Sequence, residues 1–188
     1  MSPRALPAFA AALLFSVAAC AADWPTFLGA RRDGCSPDTG LLKQWPTEGP
    51  ALLWKNSALG EGWSSVAVAA GKVYTTGNEG ENQMLVCLDA ASGKELWRAA
   101  QGPIAKHNKY PGARATPTVD GDRIYLTGGN GLVTCQQASN GRLLWQSRPL
   151  KRGDKPLPVD IDVAAFKTLL LRVDPWRDGT AGDHADWL

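Results

Sequence analysis

The side chains able to do chemistry in this chain are few and scattered. Four cysteines and two histidines are present among 188 residues, and no Cys-x-x-Cys or His spacing of a zinc site occurs. Asp178, Asp183, His184 and Asp186 form the one oxygen-and-nitrogen cluster of metal-ligand type, although such residues near a polar terminus are as a rule solvated. Gly62-Trp63-Ser64-Ser65-Val66 lacks the second glycine of a nucleophile elbow, and Gly71-Lys72 lies in no phosphate-binding loop. Trp24, Trp45 and Trp63 are candidates for stacking a sugar, weighed against plain packing. The stretch Gln101 to Ala115 carries His107, Tyr110, Pro111 and Arg114 in a loop long enough to be a ligand or partner edge, or a solvated crossover. Arg114 is its fixed cation, suited to carboxylates.

Those residues must be held by something, and a repeat shows what. Val68 to Trp97 is answered by Val119 to Trp145: Tyr74 matches Tyr125, Cys87 matches Cys135, Gly93 matches Gly141 and Trp97 matches Trp145. A partial third copy ends at Trp54. A unit of about 40–50 residues with this composition is the sign of a β-propeller blade. Strands are expected over Ser65 to Ala69, Lys72 to Thr76, Met84 to Leu88 and Lys94 to Arg98, with the second copy alike. Gly77 to Gln83 is expected as a loop, since the second copy is shorter there. Leu52-Leu53-Trp54 is expected as a short strand closing the lead-in. The whole is an all-β partial propeller of two four-stranded blades and a fraction, around Ser64 to Arg98 and Thr116 to Gln146.

The ends read differently. Arg4 followed by the apolar run Leu6 to Ala19 and small residues reads as a secretory signal over residues 1–20. Val17-Ala18-Ala19-Cys20 resembles a bacterial lipobox, with Cys20 the lipidated residue; ordinary cleavage near Ala21 is the competing reading. Either one places the mature chain outside the cytoplasm. Residues 21–63 are then a lead-in and partial blade, 64–147 the repeats and 148–188 an atypical tail. From about Arg148 the blade pattern stops, and the expectation is a truncated or frameshifted gene product. Leu170-Leu171-Arg172-Val173 can be encoded so that the next frame reads Tyr-Ser-Glu-Ser, which the coding DNA would decide.

Cysteines Cys35, Cys87 and Cys135 make an odd set for an oxidising compartment. Cys87 and Cys135, at equivalent repeat positions, read as small buried hydrophobes in strands. A net charge of +2 gives no electrostatic case for nucleic acid.

The segment Leu88-Asp89-Ala90-Ala91-Ser92-Gly93-Lys94-Glu95-Leu96-Trp97 resembles the tryptophan-docking motif of the PQQ-like (pyrroloquinoline quinone) β-propeller repeat family. The resemblance covers roughly Trp24 to Gln146. It implies that Trp97 and Trp145, with Trp54 as a degenerate version, pack between blades, and that the turns ending at Gly93 and Gly141 lock the outer hairpins. Gln137 and Asn140 stand where Asp89 and Ser92 do, so the second turn is expected to be held less tightly. The family includes quinoprotein dehydrogenases and BamB-like scaffolds, and fold alone does not choose between them. The vicinal cysteine pair of many dehydrogenases is absent from the sequence. The expectation is an exported binding or scaffold protein that contacts a protein partner or small ligand through blade loops, with no cofactor and a membrane link only through a lipid anchor. The alternative is a fragment of a PQQ-dependent alcohol or sugar dehydrogenase using the quinone and calcium, with Arg114 as the candidate cofactor-binding residue.

Overall fold

The structure, a computed structural model, describes residues 21–105, 111–147 and 149. The described residues fall within one compact unit, Met1–Arg152. Their regular structure is eight strands in two sheets. The first holds β1 (Ala67–Ala69), β2 (Lys72–Glu79), β3 (Asn82–Asp89) and β4 (Glu95–Pro103), and the second holds β5 (Thr118–Asp120), β6 (Arg123–Thr127), β7 (Val133–Gln137) and β8 (Leu143–Gln146). Each is an antiparallel meander in which every strand pairs with the next in sequence. This is the strand order of a propeller blade.

Alternation along the strands gives the first blade two buried faces. Tyr74, Leu85 and Cys87 point one way, into a core shared with Val119, Ile124, Leu126 and Ala138 of the second blade. Val73, Val86 and Leu88 point the other way and are covered by Trp54 and Leu59 from the segment before β1. Full burial of an aliphatic side chain such as Leu85 or Ile124 is worth about 1.5–3 kcal/mol. The blades therefore hold each other. Register repeats the arrangement: Tyr74 lies opposite Cys87 and Cys87 opposite Trp97, while Tyr125 lies opposite Cys135 and Cys135 opposite Trp145. The Tyr–Trp ring centroids are 6.0 Å apart at 51° in the first blade and 6.2 Å at 53° in the second.

Turn chemistry fixes the hairpins. Ala70 and Gly71 both hold positive φ, 50° and 71°, the requirement of a type I′ turn between β1 and β2. At the equivalent place Gly121 alone does so, with φ 56°. In the outer turn of the first blade the Asp89 carboxylate accepts from the Ser92 amide at 2.8 Å and its hydroxyl at 2.6 Å. In the second blade the Gly141 amide still donates to the carbonyl of Gln137 at 2.8 Å, as Gly93 does to Asp89, while the Asn140 side chain accepts instead from the Arg142 amide at 2.9 Å.

Several boundaries differ from the sequence reading. The expected loop Gly77 to Gln83 is a continuation of the hairpin: Gly77 pairs with Met84, Asn78 with Gln83 and Glu79 with Asn82, leaving Gly80 and Glu81 as the turn. Polar side chains and Gly77 have low strand propensity, but Asn78 also exchanges backbone bonds with Glu61, at 2.7 and 3.0 Å, so its strand is paired on both sides. Gly77 is needed there because the carbonyl of Leu59 occupies the place a Cβ would take. Strand β4 likewise runs on to Pro103 instead of stopping at Arg98. Leu52-Leu53-Trp54 forms no strand; Leu52 and Leu53 are exposed and Trp54 reaches the first blade through its side chain alone. The lead-in touches both blades. Trp24 exchanges backbone bonds with Val68 at 2.7 and 2.8 Å, the Pro25 carbonyl accepts from Val119 at 2.7 Å, and the Thr26 hydroxyl meets that of Thr118 at 3.0 Å.

Candidate functional site

Among the described residues a concavity lies at the end of the seam between the blades. A pocket of about 240 Å³ is lined by Asn78 and Gln83 from the β2–β3 hairpin, by Ala105, by Gly112, Arg114 and Ala115 from the inter-blade segment, and by Thr127, Gly128 and Gly129 at the end of β6. The hairpin extension that the sequence reading missed supplies one wall.

Each wall is fixed by its own bonds. Ala113 is buried and locked to the segment before β1: the Trp63 amide donates to its carbonyl at 2.6 Å, and its amide donates to Glu61 at 3.1 Å. The carbonyl of Ala115 accepts from Ser64 at 2.9 Å and from Thr76 at 3.0 Å. Arg114 is therefore held between two anchored neighbours. Gly112, with φ 106°, passes so close to Gly62 that a Cβ would lie 2.8 Å from its Cα. Opposite, the turn after β6 closes through Gly128 donating to Leu132 at 2.7 Å. It is tied to β4 by Gln101 donating to Leu132 at 3.2 Å and Asn130 donating to Pro103 at 3.1 Å.

The wall from the hairpin has an unmet requirement. Gln83 is 3% exposed, yet its Nε2 has no hydrogen-bond partner, and neither has Oδ1 of its cross-strand neighbour Asn78. A buried polar atom without a partner costs about 1–3 kcal/mol. Away from the pocket, burial pushes the Tyr74 hydroxyl up to about 12 and the Cys87 thiol up to about 11. Both stay protonated at neutral pH, so Cys87 is a packing residue and not a nucleophile. Among the described residues no three His, Cys, Asp or Glu converge as a metal site.

The tryptophans and glycines singled out in the sequence sit as follows. The Trp54 indole lies where a Cβ on Gly93 would be, and its Nε1 donates to the Ala90 carbonyl at 2.9 Å. Trp97 lies against Gly141, where a Cβ would meet its ring at 2.7 Å. The carbonyl equivalent to Ala90 is Ala138, and there it is the Tyr74 hydroxyl that donates, at 3.4 Å, leaving Trp97 Nε1 buried without a partner. Trp145 is 46% exposed. Trp24 packs over Gly29, Trp45 and Trp63 are exposed, and Trp63 Nε1 donates to Pro111 at 3.0 Å. Among the described residues, Arg114 is the sequence-derived ligand candidate that lines the pocket. Cys20, His107, Tyr110, Asp178, Asp183, His184 and Asp186 lie outside the described residues. Asn78 and Gln83 were not singled out, although the first copy is three residues longer than the second between Gly77 and Cys87, which marks the place.

Two stacked four-stranded meanders, with Trp54 of the lead-in seated on the glycine turn of the first and Trp97 of the first on the glycine turn of the second, define a propeller-repeat protein. The family model described as "Outer membrane protein assembly factor BamB" matches residues 46–159, more than half of the chain, and the chain belongs to that PQQ-like repeat family. No curated protein matches it. Among solved structures, a europium-containing methanol dehydrogenase is 27% identical over 44% of this chain and 14% of its own, with a TM-score of 0.33. BamB from Moraxella catarrhalis is 22% identical over 48% and 24%, with a TM-score of 0.32. A quinohemoprotein alcohol dehydrogenase from Pseudomonas putida HK5 is 26% identical over 43% and 12%, with a TM-score of 0.31. The matched region thus spans no more than 24% of the length of any of these three.

Proposed function

We propose that this protein is an exported PQQ-like repeat protein whose role is binding, exercised at the end of the blade seam. The observation that carries this reading is the composition of the pocket: one guanidinium and two carboxamides are set among two alanines, a threonine and three glycines, a mainly apolar lining with a few polar groups. Such groups recognise a ligand by charge and hydrogen bonding; they neither pass protons near neutral pH nor carry electrons.

The alternative, a fragment of a quinone-dependent dehydrogenase, asks the pocket for more. Pyrroloquinoline quinone is a planar tricarboxylate of drug-like size, and sites for such ligands run to about 300–1,000 Å³. Among the described residues the pocket is lined by a single cation and no aromatic plane, and its volume is about 240 Å³. The described lining residues do not fit the quinone.

Export rests on the basic, apolar and small-residue order of residues 1–20, with Cys20 as the acylation site if the lipobox is used. Mass spectrometry of the mature amino terminus decides between the two cleavages: a diacylated Cys20 supports the anchor, and a free Ala21 or Asp23 excludes it.

The binding role is tested by a photo-reactive residue placed at Gly129, on the pocket rim, and in a control at Ala91, on the outer turn of the first blade. Expected are discrete adducts from position 129 that the control does not give, together with no dye-linked alcohol or sugar oxidation on adding quinone and calcium. Equal labelling from both positions, or quinone-dependent turnover, would overturn the reading.

A further inference from the structure

The seam pocket pairs a donor and an acceptor that both lack partners with a cation beside them, and this combination restricts what fills it. Gln83 and Asn78 face each other across β2 and β3, so their side chains leave the sheet about 5 Å apart on one face. Gln83 Nε2 offers a donor and Asn78 Oδ1 an acceptor. Both atoms are shielded from water, and the last torsion of an amide side chain is soft enough to turn them toward a ligand on the pocket side. A free anion alone would satisfy the donor and be repelled by the acceptor. A residue of an extended peptide fits both, because its N–H and C=O point to the same side, as in a hydrogen-bonded antiparallel pair. The guanidinium of Arg114, on the neighbouring wall, adds the preference for a carboxylate. The volume, about eight waters at ~30 Å³ each, admits the end of a chain and not a folded segment.

We propose that the seam pocket captures the carboxy-terminal end of a peptide chain, with the N–H of its penultimate residue donating to Asn78, the C=O of that residue accepting from Gln83, and the terminal carboxylate on Arg114. This deepens the binding role proposed above and rests on it. Gly112, Gly128 and Gly129 line the pocket with backbone alone.

The test is a titration of the full 188-residue chain, labelled with nitrogen-15, with N-acetyl-diglycine and separately with its carboxamide. Expected are shifts of the Asn78 and Gln83 side-chain amides and of the Gly128 and Gly129 backbone amides, with affinity for the carboxamide lower by roughly tenfold, the loss of one charged hydrogen bond. Arg114→Gln should lose that discrimination while the Asn78 and Gln83 side-chain amides still shift with both compounds. Gln83→Leu should weaken both compounds alike. No shifts at these four residues up to millimolar concentration, or equal affinity for the two compounds, would overturn the proposal. If position 129 still gives its adducts while the peptide is silent, the peptide assignment fails and the binding role stands; if both are silent, the binding role fails as well.

Discussion

Ala70 holds φ at 50° beside Gly71 at 71°, and an alanine in the left-handed region is disfavoured by about 1–2 kcal/mol. Asparagine tolerates that conformation, and Asn-Gly is the preferred pair for a type I′ turn. Ala70→Asn should therefore raise stability by about 0.5–1 kcal/mol in a denaturant melt. Asp89 makes a pH-dependent contribution at the outer turn. The Ser92 hydroxyl, then the Ser92 amide, hold its carboxyl below the ordinary value of 3.8. A depressed carboxylate stabilises the fold fully above its unfolded pKa and loses that contribution as pH falls through the folded one. Asp89→Asn should accordingly lower the melting temperature at pH 7 and lower it less at pH 3; an equal loss at both values would show that the charge is not what the turn uses. These two residues differ in legibility. The Asp-to-Gly turn was readable because its side-chain types act locally, whereas the strain at Ala70 was not, because alanine gives no sign of φ.

At the scale of elements, the β2–β3 hairpin shows where local reading stops. Residues 77–83 have the composition of a loop, and their strand character comes from cross-strand pairing of Gly77 with Met84, Asn78 with Gln83 and Glu79 with Asn82, reinforced where Asn78 also bonds to Glu61, which no local pattern records. The same cause hid half of the pocket: Arg114 stood out as a cation in a long connection, while Asn78 and Gln83 gain meaning only as cross-strand neighbours. The blade repeat itself was legible because both copies carry Tyr, Cys, Gly and Trp at matching places. The lead-in is a further element whose role depends on contacts. It bonds to β1 through Trp24 and to β5 through Pro25 and Thr26, so it ties the edges of the two sheets together. Thr26 is 8% exposed, and its hydroxyl bond to Thr118 should contribute about 1 kcal/mol. Thr26→Val should cost that amount, and Thr26→Val combined with Thr118→Val should cost less than the sum of the two single changes.

Across the molecule one contact scheme recurs: the tryptophan ending one unit lies against the glycine turn of the next. Trp54 meets Gly93 and Trp97 meets Gly141, and the second of these contacts helps close the seam whose end forms the pocket. The second blade presents Tyr125 and a half-exposed Trp145 on the face corresponding to that used by Tyr74 and Trp97. The central claim is that the blades are stacked through this seat and that the site exists because of it. A double-mutant cycle on Trp97→Leu and Gly141→Ala, measured by denaturant unfolding, tests it most directly. An alanine at φ 73° carries its backbone penalty in either background, so the cycle isolates the contact between ring and turn. The account predicts that Gly141→Ala is less damaging once the ring is gone, with a coupling of about 1 kcal/mol or more within the usual 0.5–3 for touching residues. Strict additivity of the two changes would contradict it.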